Sequence, residues 1–184
     1  VQRWMLRIIV PQKGYRHFVG ADGYENNTIA QFLGLDTSFD SDSLYSPSDA
    51  LSLLRGMHAR AETEAPPALP VTLQRNLEQL TVLLGLSAED RLILAFAIIL
   101  HSHRILDDTA DYLGPQNSID LYASIAGILG LDEPAVRQSL SNHSIMSRAG
   151  LLSVDRNGMM CLRGKLDLLS GEFAEQMMHH EVDD

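Results

Sequence analysis

The stretch "LILAFAIIL", Leu92 to Leu100, is the strongest constraint on how this chain folds. Nine consecutive apolar residues follow Ser87-Ala-Glu-Asp90, a spacing that reads as a capping box at a helix start. A helix apolar nearly all round cannot lie on a wet surface, so it is expected at the centre of the core. Nine residues are also far short of the roughly 20 that span a bilayer. The expectation is therefore a central buried helix and no membrane association.

The segments on either side continue the helical pattern. Leu73, Leu77, Leu80 and Leu84 share one face of "LQRNLEQLTVLLG". "RILDDTADYLGP" reads as a helix stopped by Gly114 and Pro115. Upstream, "TEAPPALP" (63–70) has three prolines in eight residues and reads as a linker. Before it, "SPSDALSLLRGMHARAE" is a helix with Ser46 as cap and Pro47 at its first position. Residues 36–48 are rich in Ser and Asp and read as a loop, and "NNTIAQFLGL" as a short helix closed by Gly34. "RWMLRIIV" (3–10), bulky and β-branched up to Pro11, is expected to be a strand.

The C-terminal third carries a more specific pattern. Residues 119–129 read as a helix with Ser118 as cap and Gly130 just past its end, and Asp132 caps a second helix with Pro134 in its first turn. Ala126, Gly130 and Val136 supply a small residue for close crossing, a left-handed turn and an aliphatic return contact. That is what a helix-turn-helix needs. In "LLSVDRNGMMCL", Leu152 and Val154 alternate on one face, Asn157-Gly158 is a type I′ hairpin signal, and Met160 and Leu162 resume the alternation. Helix-turn-helix plus hairpin predicts a winged helix. The fold class expected is mainly α, a helical domain followed by a winged helix-turn-helix with a small β-hairpin wing. The organisation read is a strand/helix segment over 1–62, a proline-rich linker over 63–71, helices over 72–116, the winged-helix-like part over 117–178 and an acidic tail over 179–184.

The net charge of −10 argues against a general polyanion-binding surface. From Asp132 to Lys165, however, five cations face three carboxylates. Arg137, Gln138, Asn142, Arg148, Arg156, Arg163 and Lys165 are the candidate contacts to nucleic acid or a protein partner, with Arg156 at the expected wing tip. Asp132 and Glu133 stabilise their helix N-terminus but repel phosphate there.

Several motifs invite chemistry and fail on spacing. Gly158 and Gly164-Lys165 imitate a phosphate-binding loop, but five residues rather than four intervene and Leu166 stands where Ser or Thr would hold magnesium. Asp107, Asp108 and Asp111 have the DDxxD spacing of prenyl-transferring enzymes without a second acidic motif, and read as a solvated helix face. His101 and His103, two apart, point in different directions on a helix. His179 and His180 read as surface residues. Cys161 is the single cysteine, which excludes a disulfide framework, fits a reducing cytosol, and has no base beside it in sequence. The pairs Met159–Met160 and Met177–Met178 read as packing residues rather than ligands. No catalytic residue and no metal site is expected in this chain.

"LGLSAEDRLILAFAIILHS", "LDEPAVRQSLSNHSIMSRAGLLSVDRNG" and "LRGKLDLLSGEFAEQM" together give a resemblance spanning about Leu73 to Met178. They resemble the region preceding the ATPase module in certain bacterial AAA+ family ATPases. There an apolar helical segment leads into a winged-helix-like segment ending SGLL-x-VD and then a KL-x-LL helix. The resemblance implies that the chain is cut from a longer cytoplasmic protein whose ATPase module lies beyond Asp184, with ATP and magnesium bound there, and which forms oligomers through it. None of that module's motifs occurs here, so no ATPase residue carries over. The role implied for this chain is accessory, either gripping a protein partner or nucleic acid or regulating the motor. A stand-alone winged-helix transcription regulator is the alternative; an isoprenoid-type enzyme using Asp107, Asp108 and Asp111 with magnesium is a third.

Overall fold

The structure is a computed structural model that describes residues 1–37, 45–65 and 67–180. Among the described residues, twelve helices and one small sheet follow in order: α1 Gln2–Ile9, α2 Tyr15–Phe18, α3 Asn27–Phe32, α4 Pro47–Thr63, α5 Val71–Leu84, α6 Ala88–Ser102, α7 Arg104–Ala110, a 3₁₀ turn Asp111–Leu113, α8 Ser118–Leu129, α9 Glu133–Ser139, α10 Ile145–Arg148, β1 Leu152–Val154, α11 Leu162–Lys165, β2 Leu166–Leu168 and α12 Phe173–His179. The chain is mainly helical with a two-stranded antiparallel sheet. Much of the loop read over 36–48, Pro66 of the linker and the end of the acidic tail lie outside the described residues.

α6 is the central helix. Every residue from Ile93 to Leu100 is buried, and α5, α7, α8, α9 and α12 pack around it. Its start is the capping box read in the sequence: Asp90 N–H donates to Ser87 Oγ and Ser87 N–H to Asp90 Oδ2, satisfying two otherwise orphaned donors. α4 begins as expected, with Pro47 in its first turn and Ser46 accepting from Asp49 N–H. α8 begins one residue earlier than read: Asn117, not Ser118, is the cap, accepting from Ile119 and Asp120. Each helix from α1 to α12 contributes buried residues to a single core cluster.

Two expectations are corrected. Residues 3–10 are not a strand: Gln2–Ile9 is a helix. Met5, Leu6, Ile8 and Ile9 form a stripe at helical spacing, and that stripe seats against α4, α7 and α8. β-Propensity loses because a strand here would need a pairing partner, whereas the helix needs only an apolar surface. Arg7 fixes the docking, its guanidinium gripping both Glu62 oxygens at 2.7 and 2.8 Å and the Ile128 carbonyl at 2.8 Å, so α1, α4 and α8 meet at one side chain.

The second correction concerns the hairpin. β1 does not return through Met160 and Leu162; it pairs with β2 in the register Leu152↔Leu168, Ser153↔Asp167, Val154↔Leu166. Leu162 instead opens α11, and the KL-x-LL stretch implied to be a helix supplies strand β2. The longer loop lets Leu152, Leu166 and Leu168 all turn into the core, while Met159 and Met160 stay outside. Gly158 is still a left-handed turn residue, with φ +59°. Met160 forms an isolated antiparallel bridge with Gln116, the residue just ahead of the α8 cap.

Candidate partner-binding furrow

Lys165 organises the loop between the strands. It has no exposed surface, yet its ammonium donates to three backbone carbonyls: Asp155 at 2.9 Å, Asn157 at 3.2 Å and Gly158 at 2.7 Å. An ammonium has three donors, and all three are used. Burying a charge without such partners costs several kcal/mol, so the loop is shaped round the cation. Asp155 closes the same loop twice more, its N–H donating to the Lys165 carbonyl at 3.0 Å and its Oδ1 accepting from Asn157 N–H at 2.7 Å. Lys165 is thus an internal pin and offers nothing to a partner, which its place in a run of cations did not reveal.

Two grooves flank this pinned loop. One, of about 540 Å³, is lined by Asn142, Arg156 and Asn157 together with Ser153 and Asp155. The other, of about 390 Å³, is lined by His101, Asp107 and Asp111 from the helices and by Cys161 and Arg163 from the loop. Gly164 and Asp167 line both, so the grooves share a wall. At Gly164 that wall carries no side chain; a Cβ there would lie 3.2 Å from the Met160 methyl and 3.5 Å from Cys161 Sγ.

Carboxylates outnumber guanidinium groups in both grooves: Asp155 and Asp167 against Arg156 in the larger, Asp107, Asp111 and Asp167 against Arg163 in the smaller. In the smaller one, Arg163 donates to Asp107 at 2.7 Å, and Asp111 and Asp167 remain as further carboxylates. Burial holds the Asp111 carboxyl above its ordinary range, and Asp107 and Asp108 push the same way. His101 places Nε2 2.8 Å from the Leu166 carbonyl, tying α6 to β2. Its imidazole titrates below the ordinary histidine range, chiefly because burial disfavours the charged form. Asp108 pairs with Arg104 at 3.7 Å. Nearby, burial and the carboxylates of Glu25, Asp108 and Asp111 push the Tyr112 phenol up to about 12. In the larger groove, Arg156 reaches only a carbonyl, that of Leu140 at 3.4 Å, and no carboxylate among the described residues pairs with it.

The structure therefore divides the residues singled out in the sequence. Asn142 and Arg156 come together in one groove, and Arg163 stands in the next. Arg137 is committed elsewhere: it pairs with Glu133 one turn back, Nε at 2.9 Å, and its guanidinium lies 4.8 Å over the Tyr122 ring. Gln138 lines a third groove, of about 620 Å³, with Ser87, Glu89 and His143; it has no lining residue in common with the other two. Arg148 is exposed and pairs with no carboxylate among the described residues. His101, Asp107, Asp111 and Asp167 belong to the furrow although sequence spacing set the first three aside, because the contacts that unite them cross from α6 and α7 to a hairpin over fifty residues later. Among the described residues no group of three or more His, Cys, Asp or Glu side chains is disposed to hold a metal ion, and no helix is long and apolar enough to cross a membrane. No family model, curated protein or solved structure matches the chain.

Proposed function

We propose that this chain is an accessory recognition region of a bacterial AAA+ ATPase, that the ATPase module lies outside residues 1–184, and that the region grips a protein partner. The observation that carries the recognition reading is the pinned loop with its two flanking grooves, a rigid exposed element presented beside an ordered helical body. Rigid presentation favours binding because little conformational entropy remains to be lost. The AAA+ assignment rests on the sequence resemblance over about Leu73 to Met178. ATP and magnesium belong to the absent module, as does assembly into an oligomer. The isolated chain is expected to turn over no ATP, and steady phosphate release by the purified chain would refute that.

The alternative, a winged-helix transcription regulator, draws support from α8, the Gly130 turn, α9 and the following β1–β2 pair, with the Gln116–Met160 bridge beside it. In that reading Arg137, Gln138 and Asn142 read bases while Arg156 and Arg163 hold the backbone. The ion pairs of Arg137 and Arg163 and the burial of Lys165 weigh against it, since three of the five cations are engaged internally. Fluorescence anisotropy with duplex DNA decides the matter. No retention is expected at low salt; binding that falls steeply with salt and with Arg156→Ala would favour the regulator.

A further inference from the structure

We propose that the third groove, between the start of α6 and the end of α9, seats the guanidinium of an arginine side chain carried by the partner protein. The protein-recognition reading above supplies only the source of that arginine; the chemistry of the groove stands without it.

The groove is lined by Ser87, Glu89 and Asp90 at the start of α6, by Gln138 and Ser139 of α9, and by His143 in the turn that follows. Its charge selects a cation. Glu89 and Asp90 are its two carboxylates, and no lysine or arginine lines it. Glu89 pairs with no cation among the described residues. Arg137, next to Gln138, is drawn off to Glu133 and the Tyr122 ring. The N-terminus of α6 opposes a cation with roughly half an elementary charge, against two whole negative ones.

Unpaired buried acceptors select the kind of cation. Asp90 is only 8% exposed. Its Oδ2 accepts from Ser87 N–H at 3.1 Å, while Oδ1 accepts no hydrogen bond among the described residues. Ser139 is 6% exposed, and its hydroxyl has no partner among them either. Thr81, Ser102 and Thr109, also in helices, each donate to the carbonyl four residues back; Ser139 does not. Buried polar groups are nearly always paired, so two unpaired ones lining a single groove mark the place of a donor-rich group. Glu89 and the Gln138 amide add further acceptors beside them. A guanidinium brings five N–H donors in one plane and no acceptor, and it is more weakly hydrated than an ammonium, so it loses less on leaving water.

The test is a titration of the whole ¹⁵N-labelled chain, followed by amide chemical shifts, with N-acetyl-arginine amide, its lysine and citrulline counterparts, and agmatine. Blocked arginine is expected to shift amides around Glu89, Asp90 and Ser139 and to saturate in the millimolar range, with blocked lysine weaker by about three-fold and citrulline, isosteric but uncharged, silent. Glu89→Gln, which leaves the Ser87–Asp90 cap intact, should weaken blocked arginine by about five-fold, and Ser139→Ala by about two-fold. Unchanged affinity in both variants, shifts confined to other parts of the chain, or citrulline binding as well as arginine would overturn the site. Lysine binding as tightly as arginine would overturn the guanidinium assignment. Agmatine binding more tightly than blocked arginine would overturn the partner protein as the source while leaving the groove a guanidinium site.

Discussion

The helical body around α6 and the β1–β2 hairpin are held by different forces. α6 is a run of side chains buried on every side, and its neighbours present apolar stripes to it. Burial is non-directional and roughly proportional to area, so many packings of similar volume would serve. The hairpin has two strands of three residues, too little by itself to be stable in water. Its fixed points are directional: Lys165 on three carbonyls, His101 on the Leu166 carbonyl, Arg163 on Asp107. The contrast teaches where this molecule tolerates change. The body should bend to substitution in proportion to volume lost, whereas the hairpin should loosen locally when its buried donor, Lys165, goes.

Phe96→Ala should do the most damage. Phe96 is wholly buried and meets Trp4 edge-on with centroids 5.2 Å apart. A cost of about 3–5 kcal/mol is expected in urea unfolding, spread over the whole helical signal. A loss below about 1 kcal/mol would break the claim that α6 is the centre.

Lys165→Met should come next, and its effect should be local. Three carbonyls lose their donor, a cost of about 2–4 kcal/mol offset in part by removing a buried charge. Amide exchange should speed up across 155–169 while α6 stays protected. If α6 opened equally, the two regions would be a single cooperative unit and the contrast would dissolve.

The pH dependence of the hairpin sharpens it further. His101 titrates lower in the folded chain than its ordinary 6.5, so at intermediate pH the unfolded chain binds more protons. Stability is therefore fully present above 6.5 and falls as pH drops from there through the folded value. His101→Gln, which keeps an amide donor for the Leu166 carbonyl but does not titrate, should flatten that slope near pH 6.5 in urea titrations. An unchanged slope would remove His101 from the account.

The smallest effect is expected at the outer ion pair. Asp107→Asn should cost under about 1 kcal/mol, shrinking further at high salt, because Arg163 is half exposed. A larger, salt-independent loss would show that the clasp between α7 and α11 matters more than its exposure implies.

Much of the body was legible beforehand because its signals are local. The Ser87–Asp90 box, the Ser46–Pro47 start and the glycine after α8 involve residues within one turn of each other. The furrow was legible only in fragments. Arg156 stood out at the expected wing tip and Asn142 as a polar candidate of the helix-turn-helix, and the two line one groove. His101, Asp107 and Asp111 read as unconnected because their spacing along the helix gives no hint of Cys161 and Arg163 opposite. Lys165 looked like one more surface cation, since nothing local distinguishes an ammonium in water from one caged by carbonyls.

By itself the sequence determined a helical protein built around Leu92–Leu100, because period and capping act over a few residues and leave a central apolar helix nowhere else to go. Only the tertiary structure decided that residues 2–9 are helix rather than strand, since that choice turns on whether the stripe finds a surface on α4, α7 and α8. It also decided the register of β1 with β2. There the local turn at Asn157-Gly158 competes with burying Leu166 and Leu168, and long-range burial together with the Lys165 cage outweighs the shorter loop.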